Sequence, residues 1–272
     1  MSSSYIKFWG VRGSNPTSDK NKVKFGGDTS CVEVRTKTDL FILDMGTGIR
    51  KLGKEIIEDP NSPSTINILL SHYHWDHIMG FLSFAPLFNK KFTINIYGYN
   101  KNTPISELSK TLFKTDYWPV SRDMLSANLN FHSIEENPMV ISNVKVFHTL
   151  HGHPNGANSY RLEFENKKIV YTTDCEHPAN TLNQNVIDIS KNADMLIHDA
   201  HFLPENLEAH KGWGHSTWEQ AIDVAKTGNV KNLILFHHAP EHTDEIISNM
   251  EKEAKNKFIN TIAAYQGLSL NL

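Results

Sequence analysis

Four potential metal ligands lie within six consecutive positions of this chain. They are His72, His74, Asp76 and His77, in the pattern His-x-His-x-Asp-His. Neutral imidazoles bind zinc, manganese or iron, and a carboxylate among them suits a divalent ion that keeps an open coordination position. One histidine alone is usually a hydrogen-bonded structural residue, but four such residues at this spacing indicate a metal site.

The residues before this motif indicate how it is held. Residues 66–71 form a short apolar run rich in branched side chains, which predicts a buried strand. The ligands therefore follow directly after a strand, on a loop that a sheet would hold in place. Loops held by a rigid sheet often carry binding and catalytic residues.

Similar runs predict strands interleaved with helices along residues 1–272, which we interpret as one α/β domain. Helices are expected from Ile49 to Glu58, over 105–113, near 185–190, after a capping box at Ser216–Glu219, and after a cap at Thr243. The predicted strands are 5–9, 31–35, 40–43, 66–71, 92–97, 144–149, 158–164, 168–173, 195–198, 233–236 and 262–265.

Residues 100–128 give the weakest pattern, and they contain an aromatic segment. Tyr117 and Trp118 are expected to cover the core. The alternative is that they line a substrate pocket, where a flat base could stack on them.

Composition limits the classes of function. The chain has 27 Lys and Arg against 30 Asp and Glu, without the basic excess of most nucleic-acid-binding proteins, so we expect no stable nucleic-acid partner. Cys31 and Cys175 are too few for a disulfide scaffold. No apolar run reaches membrane-spanning length, and the first residues show no signal-peptide pattern. We expect a cytoplasmic protein without membrane association.

The motif at 72–77 resembles the signature of the metallo-β-lactamase superfamily. The resemblance implies a four-layer αβ/βα sandwich with a dinuclear metal centre. It extends over nearly the whole chain, since residues 8–16 and 25–31 are similar to a bacterial and phage subgroup. The chain departs from that subgroup at Asp28, where asparagine is expected, and at Ala239, where aspartate is common.

The resemblance implies three further ligands, each just past an apolar strand. Asp174 matches the aspartate that bridges two ions, and His237 matches the last ligand. His148, His151 and His153 compete for the third position, and His153 is the best match because it precedes Pro and a Ser-Tyr-Arg strand. The implied ligands of two zinc or manganese ions are His72, His74 and His153 for one, and Asp76, His77 and His237 for the other, with Asp174 shared.

Neighbouring residues receive other roles. Asp44, at a strand end, is expected to orient a ligand ring. Cys175 could be a soft ligand, but side chains alternate in direction on an extended backbone, so we expect a buried thiol. His238 would point away from His237 for the same reason, with a substrate contact as the alternative. The remaining histidines in this group are expected to be structural or solvent-facing: His132, His177, His210 and His242.

The sequence Gly-His-Ser-Thr around His215 resembles the RNase Z-like phosphodiesterase branch, in which this histidine works with an upstream acid. Asp199 matches that acid. His215 also precedes a capped helix, whose N-terminal N–H groups favour an anion such as phosphate. The positive helix end and the carboxylate partner act in opposite directions on the imidazole, which suits a proton donor working near neutral pH.

These features favour a dinuclear-metal phosphodiesterase that acts on a small anionic phosphodiester. The expected substrates are 3′,5′- or 2′,3′-cyclic nucleotides or related cyclic phosphates, because the motifs resemble those of the anti-Pycsar and ribosyl cyclic phosphate phosphodiesterases. A metal-bridging hydroxide would attack the phosphorus. Asp76 and Asp199 belong to the expected catalytic set. His215 would protonate the leaving oxygen or stabilise the phosphate.

The principal alternative is a tRNA 3′ processing endonuclease of the RNase Z type. Such enzymes clamp tRNA with a Gly- and Pro-rich arm, which no segment resembles, and their His-Phe/Tyr-Ser ending is replaced by His237 and His238. A β-lactamase, a thioesterase or a non-catalytic metal-binding regulator agrees less well with the motifs. The branch also implies a homodimer.

Overall fold

The computed structural model describes residues 4–100 and 102–272, which form two compact units. The first unit comprises residues 4–10, 28–135 apart from 101, and 267–272. The second comprises residues 11–27 and 136–266. Each unit has its own sheet and its own buried core, and the single domain stays a prediction. Residues 1–3, part of the segment examined for a signal peptide, lie outside the described residues.

The first unit is built on a mixed sheet of seven strands. Its strands are β1 (Tyr5–Gly10), β2 (Cys31–Arg35), β3 (Leu40–Leu43), β4 (Thr65–Leu69), β5 (Thr93–Gly98), β6 (Asn128–Ser133) and β14 (Ser269–Asn271). Their order is β14-β1-β2-β3-β4-β5-β6. The junctions from β14 to β3 are antiparallel, and those from β3 to β6 are parallel. All of β3 and all but one residue of β4 are buried, as expected for strands covered on both faces.

Three α-helices belong to the first unit. They are α1 (Ile49–Glu58), α2 (Trp75–Ile78) and α3 (Ile105–Leu112). Helix α1 buries Ile49, Leu52 and Ile56, whose spacing places them on one face. These side chains share a core with strand residues such as Ile42 and Ile68. The core fixes the end of β4, from which the metal-binding motif continues.

The second unit repeats this pattern of connections in reverse order. Its strands are β7 (Met139–Ile141), β8 (Val144–His151), β9 (Ala157–Phe164), β10 (Lys167–Thr172), β11 (Met195–Asp199), β12 (Leu233–Phe236) and β13 (Thr261–Ala263), paired in sequence order. The junctions from β7 to β10 are antiparallel, and those from β10 to β13 are parallel. The carboxyl ends of β10, β11 and β12 therefore meet at one edge, where α/β proteins place their ligands.

Three helices pack in the second unit: α4 (Gln184–Ser190), α5 (Trp218–Thr227) and α6 (Asp244–Lys257). Thr243 caps α6 as predicted. The capping box of α5 joins Thr217 to Gln220, so the prediction from Ser216 was wrong by one residue. Ser216 is already engaged, because its N–H donates to Asp199 and its hydroxyl donates to the carbonyl of Cys175.

Most predicted elements are confirmed within two residues, and the omissions share a cause. The strands β6, β7 and β14 were not predicted, and each lies at the edge of its sheet. Edge strands need no continuous apolar run, because one side faces solvent. In the aromatic segment, Tyr117 is 74% exposed, so the prediction that it covers the core was wrong. Over residues 4–100 and 102–272, every helix is too short or too polar to cross a membrane.

Candidate metal centre

The motif after β4 forms a compact cluster in the first unit. Helix α2 begins at Trp75, which makes His74 its N-cap and places Asp76 and His77 in its first turn. The ring centroid of His72 lies 4.4 Å from that of His74 and 4.3 Å from that of His77. His77 Nε2 lies 3.1 Å from Asp76 Oδ2. The structure thus brings together all four ligands that the motif predicts.

Asp44, which follows β3, determines the orientation of His77. Its Oδ2 accepts the Nδ1–H of His77 at 2.7 Å, while Oδ1 accepts the N–H of Ser71 at 2.7 Å. With the proton on Nδ1, the lone pair of His77 is on Nε2, the atom available to a metal. Asp44 has a φ of +59°, in the left-handed region. Ser71 was not anticipated, and its hydroxyl also donates to Asp44 at 2.7 Å.

A second group of predicted ligands lies in the second unit, after β8, β10 and β12. Asp174 has its Oδ1 3.8 Å from His153 Nε2 and its Oδ2 3.2 Å from His237 Nε2. Each carboxylate oxygen therefore lies near a different imidazole. Asp174 and His237 both have left-handed backbones, with φ of +54° and +61°. The sequence argument assumed extended backbone there, which was wrong.

These distances fit metal ligation. Two ligands about 2.1 Å from one tetrahedral ion lie about 3.4 Å apart. His153 donates its Nδ1–H to the carbonyl of Gly214 at 2.9 Å, so its Nε2 carries the lone pair. The side chains of His153, Asp174 and His237 are at most 3% exposed. Imidazoles and carboxylates of this kind suit zinc or manganese.

His151, the competitor of His153, has both ring nitrogens occupied. Its Nδ1 accepts from the hydroxyl of Ser159 at 2.9 Å, and its Nε2–H donates to the carbonyl of Thr173 at 3.0 Å. Burial lowers the pKa of His151 to about 4, so the ring is neutral. Ser159 stands where glycine is usual in the resembling family, and its hydroxyl binds this ring. The geometry favours His153 as the ligand.

Asp199 anchors His215 at the carboxyl end of β11. Its Oδ2 accepts the Nδ1–H of His215 at 2.9 Å and the N–H of Asp174 at 3.0 Å. Its Oδ1 accepts the N–H groups of His201 and Ser216, both at 3.0 Å. Burial would raise the pKa of the Asp199 carboxyl, but the positive charge and hydrogen bond of His215 hold that pKa below its usual range. His215 Nδ1 also lies 3.8 Å from Asp174 Oδ1.

The start of helix α5 differs from the sequence interpretation. The N–H of Ser216 donates to Asp199, and the N–H groups of Thr217 and Gln220 are bonded within the capping box. These donors are therefore not available to a phosphate. Any role of His215 toward an anion must come from its own ring.

His201 is a neighbour of His215 that the sequence did not single out. The two rings stack with centroids 4.1 Å apart and an interplanar angle of 16°. His201 donates its Nδ1–H to the carbonyl of His237 at 3.0 Å. Burial, together with His215 and His237, lowers the pKa of His201 to about 3, so it stays neutral. Its position two residues after Asp199 was the only available signal.

Arg12 is a second residue that the sequence did not single out. Its guanidinium is fully buried, and it donates to the carbonyls of Gly26 at 2.8 Å, Ala239 at 3.1 Å and His242 at 2.7 Å. Burial lowers the pKa of the guanidinium. These bonds hold the segment that follows His237.

Cys175 is a free, buried thiol as predicted, and burial raises its pKa. It lies near His177 and His198, but this cluster does not suit a metal. His177 Nδ1 accepts the N–H of Asn183 at 3.0 Å, which places the ring proton on Nε2, the atom that would have to ligate.

His238 does not contact substrate, which removes the alternative raised from the sequence. The residue is fully buried, and its Nε2–H donates to the carbonyl of Ala264 at 2.9 Å. Burial lowers its pKa to about 3. His238 therefore acts as a structural residue beneath His237.

Comparison with known proteins agrees with this architecture. The beta-lactamase superfamily domain matches residues 39–238. Ribonuclease Z of Archaeoglobus fulgidus is 25% identical, covering 98% of this chain and 97% of its own. The metallo-beta-lactamase fold protein YhfI from Bacillus subtilis is 21% identical with a TM-score of 0.74, covering 100% of both chains. A diphosphatase from the PhnP family is 17% identical with a TM-score of 0.71, covering 100% of this chain and 98% of its own. The predicted metallo-β-lactamase fold is confirmed.

Proposed function

Because this chain belongs to the beta-lactamase superfamily, we propose that it is a phosphodiesterase whose substrate is a cyclic nucleotide or a related cyclic phosphate. The chain is a metal-dependent hydrolase of the RNase Z-like branch. The observation that carries the proposal is the Asp199–His215 pair beside Asp174, a proton donor held next to a carboxylate suited to metal. A β-lactamase or thioesterase does not need such a pair.

We assign two divalent ions, preferably zinc, to seven ligands. When bound, the ions would lower the pKa of a water molecule and neutralise charge on the phosphate. Asp44 holds His77, and Gly214 holds His153, in the tautomer that leaves Nε2 free to ligate. The proposed ligands are His72, His74, Asp76, His77, His153, Asp174 and His237.

The residues of the chain then divide the remaining work. Asp199 keeps His215 with its Nδ1–H pointing at a carboxylate, so a second proton on this ring must sit on Nε2. We propose that Nε2 gives that proton to the leaving oxygen of the opened ring. His201, neutral and stacked on His215, limits the movement of the ring without competing for the proton.

A second candidate, tRNA 3′ processing, is favoured by the similarity to a ribonuclease Z along almost the whole chain. Two features of the sequence weigh against it. The chain has no basic excess to neutralise an RNA backbone, with 27 cationic against 30 anionic residues. It also lacks a Gly- and Pro-rich segment of the kind that clamps tRNA.

One experiment separates these candidates. Metal-loaded protein is incubated with 2′,3′- and 3′,5′-cyclic nucleotides, bis-p-nitrophenyl phosphate and precursor tRNA. We expect cyclic nucleotides to be hydrolysed far faster than tRNA is cleaved. Specific 3′ cleavage of tRNA with cyclic nucleotides untouched would reverse the ranking. His72→Ala and Asp174→Ala should lose metal and activity together, as measured by elemental analysis and rate.

The assembly and the metal are tested separately. Light scattering after size exclusion measures the mass of the particle, and we expect a homodimer of the 30.9 kDa chain. Reconstitution of metal-stripped protein with zinc or manganese, followed by the same assay, identifies the ion that supports turnover.

A further inference from the structure

We propose that Glu176 is a positioning residue for the metal centre, an inference that rests on the proposed function. Its carboxylate accepts two backbone hydrogen bonds from one loop, with Oε1 2.7 Å from the nitrogen of Gly212 and Oε2 2.7 Å from that of Gly214. Bonds from N–H groups to an ionised carboxylate are roughly twice as strong as neutral ones. Glu176 therefore binds the loop at residues 212–214, here called the glycine loop, at both ends.

The glycine loop depends on this contact. Gly212 and Gly214 have φ of +86° and +89°, conformations that glycine adopts without steric cost. The intervening Trp213 is 62% exposed, and a Cβ added at Gly212 would meet no atom within 4 Å. Packing thus does little to hold the outer part of the loop.

The loop in turn controls His153. The carbonyl of Gly214 accepts the Nδ1–H of His153 at 2.9 Å, which keeps the lone pair on Nε2. The contact is close, since a Cβ on Gly214 would lie 2.1 Å from His153 Nδ1. The next residue along the loop is His215. One carboxylate therefore acts on a proposed ligand and, through the chain, on the proposed proton donor.

Glu176 also contacts the segment of His153 from the other side. Its own N–H donates to the carbonyl of Gly152 at 2.7 Å, within an isolated antiparallel bridge between these residues. Glu176 stands two residues after Asp174. The segments carrying Asp174, His153 and His215 are thus linked through this one residue.

The test compares Glu176→Ala and Glu176→Gln with matched changes at Glu253, an exposed residue of α6. In Glu176→Gln, the amide nitrogen must face one of the two N–H donors, so one bond is lost. Metal affinity is measured by competition with a chromophoric chelator using Zn²⁺. Loss of groups that orient ligands typically weakens metal binding 10- to 100-fold. We expect such a loss in Glu176→Ala, a smaller one in Glu176→Gln, and none in the Glu253 variants.

A second readout separates positioning from general stability. Long-range ¹H–¹⁵N spectra of the metal-stripped full-length protein report which nitrogen of His153 carries the proton. We expect Nδ1–H in the wild type and a mixture of tautomers in Glu176→Ala, with the midpoint of unfolding recorded alongside. Should Glu176→Ala fail to fold, Glu176→Gln carries both measurements.

Wild-type zinc affinity together with an unchanged His153 tautomer in the Glu176 variants would overturn the proposal. A wild type that hydrolyses no phosphodiester would refute the proposed function instead, while the affinity and tautomer measurements would still test Glu176. A wild type that binds no zinc leaves the tautomer as the deciding result, with no change in the variants counting against Glu176.

Discussion

The substitution Asp199→Asn tests how the centre of the second unit is held. The carboxylate accepts four hydrogen bonds, two on each oxygen. An amide has one acceptor oxygen, and its nitrogen must face two donors. If that nitrogen replaces Oδ1, it meets the N–H groups of His201 and Ser216, which cannot change. If it replaces Oδ2, it meets the N–H of Asp174 and the ring of His215, and this ring can adapt.

The second orientation should therefore prevail, and its cost can be worked out. The buried N–H of Asp174 loses its acceptor, which costs about 1–3 kcal/mol. The two bonds that remain on the other oxygen become neutral and lose roughly 1 kcal/mol each. We expect the free energy of unfolding to fall by about 3–5 kcal/mol, a large part of a typical 5–15 kcal/mol.

Activity should fall for a separate reason. To accept from the amide, His215 must move its proton from Nδ1 to Nε2, and a doubly protonated ring would lose its ion pair with Asp199. The rate of phosphodiester hydrolysis should drop roughly 10²- to 10⁴-fold, the usual contribution of a positioned acid.

Three measurements, each made on Asp199→Asn and on Asp223→Asn, separate the two effects. Urea unfolding, zinc content and turnover are compared, with Asp223 chosen because it lies exposed on α5. The control should stay within about 0.5 kcal/mol of the wild type. If Asp199→Asn unfolds within 1 kcal/mol of the wild type, by the estimate above, and keeps its activity, the four-bond account is wrong.

Three further predictions concern other residues. His215→Ala should keep its metal but lose roughly 10²–10⁴-fold in rate with alkoxide leaving groups and much less with p-nitrophenolate; equal losses would point to charge stabilisation instead. Arg12→Met, which leaves three buried carbonyls without their donor, should lower the free energy of unfolding by about 3–6 kcal/mol in urea, and a loss below 1 kcal/mol would contradict this. Burial, and then the charge of Arg12, lowers the pKa of His242 from 6.5 to about 4. Since only the unfolded chain takes up this proton between those values, stability should fall by about 1.4 kcal/mol per pH unit as pH drops from 6.5 to 4. His242→Gln should remove that part of the slope, and an unchanged slope would exclude His242 as its source.

The sequence was most informative where residues are buried and periodic. Strands such as β3 and β12 and the apolar face of α1 were predicted with the correct bounds, because a strand or helix in a core has a continuous apolar signature. Edge strands, with one side in solvent, lack that signature. The cap of α5 shifted by one residue because Ser216 is committed to Asp199, a contact that local spacing cannot reveal.

For the candidate site, the sequence named residues but not their hydrogen bonds. The pattern from His72 to His77 is local, so its clustering could be read directly. His201, Arg12 and Glu176 act through contacts with residues distant in the chain, and nothing near them in sequence announces those contacts. The argument for Cys175 reached the correct result through an incorrect backbone, because the turn at Asp174 is left-handed.

The left-handed backbones at Asp44, Asp174 and His237 set stability against activity in the evolution of this chain. Left-handed backbone costs an ordinary residue roughly 1 kcal/mol and costs glycine little. Each of these positions therefore has a glycine substitution that relaxes the backbone while removing a ligand or the carboxylate that orients one. A library selected only for resistance to heat in the presence of chelator should accumulate glycine at these three sites. The same library selected for turnover should reject it at every one.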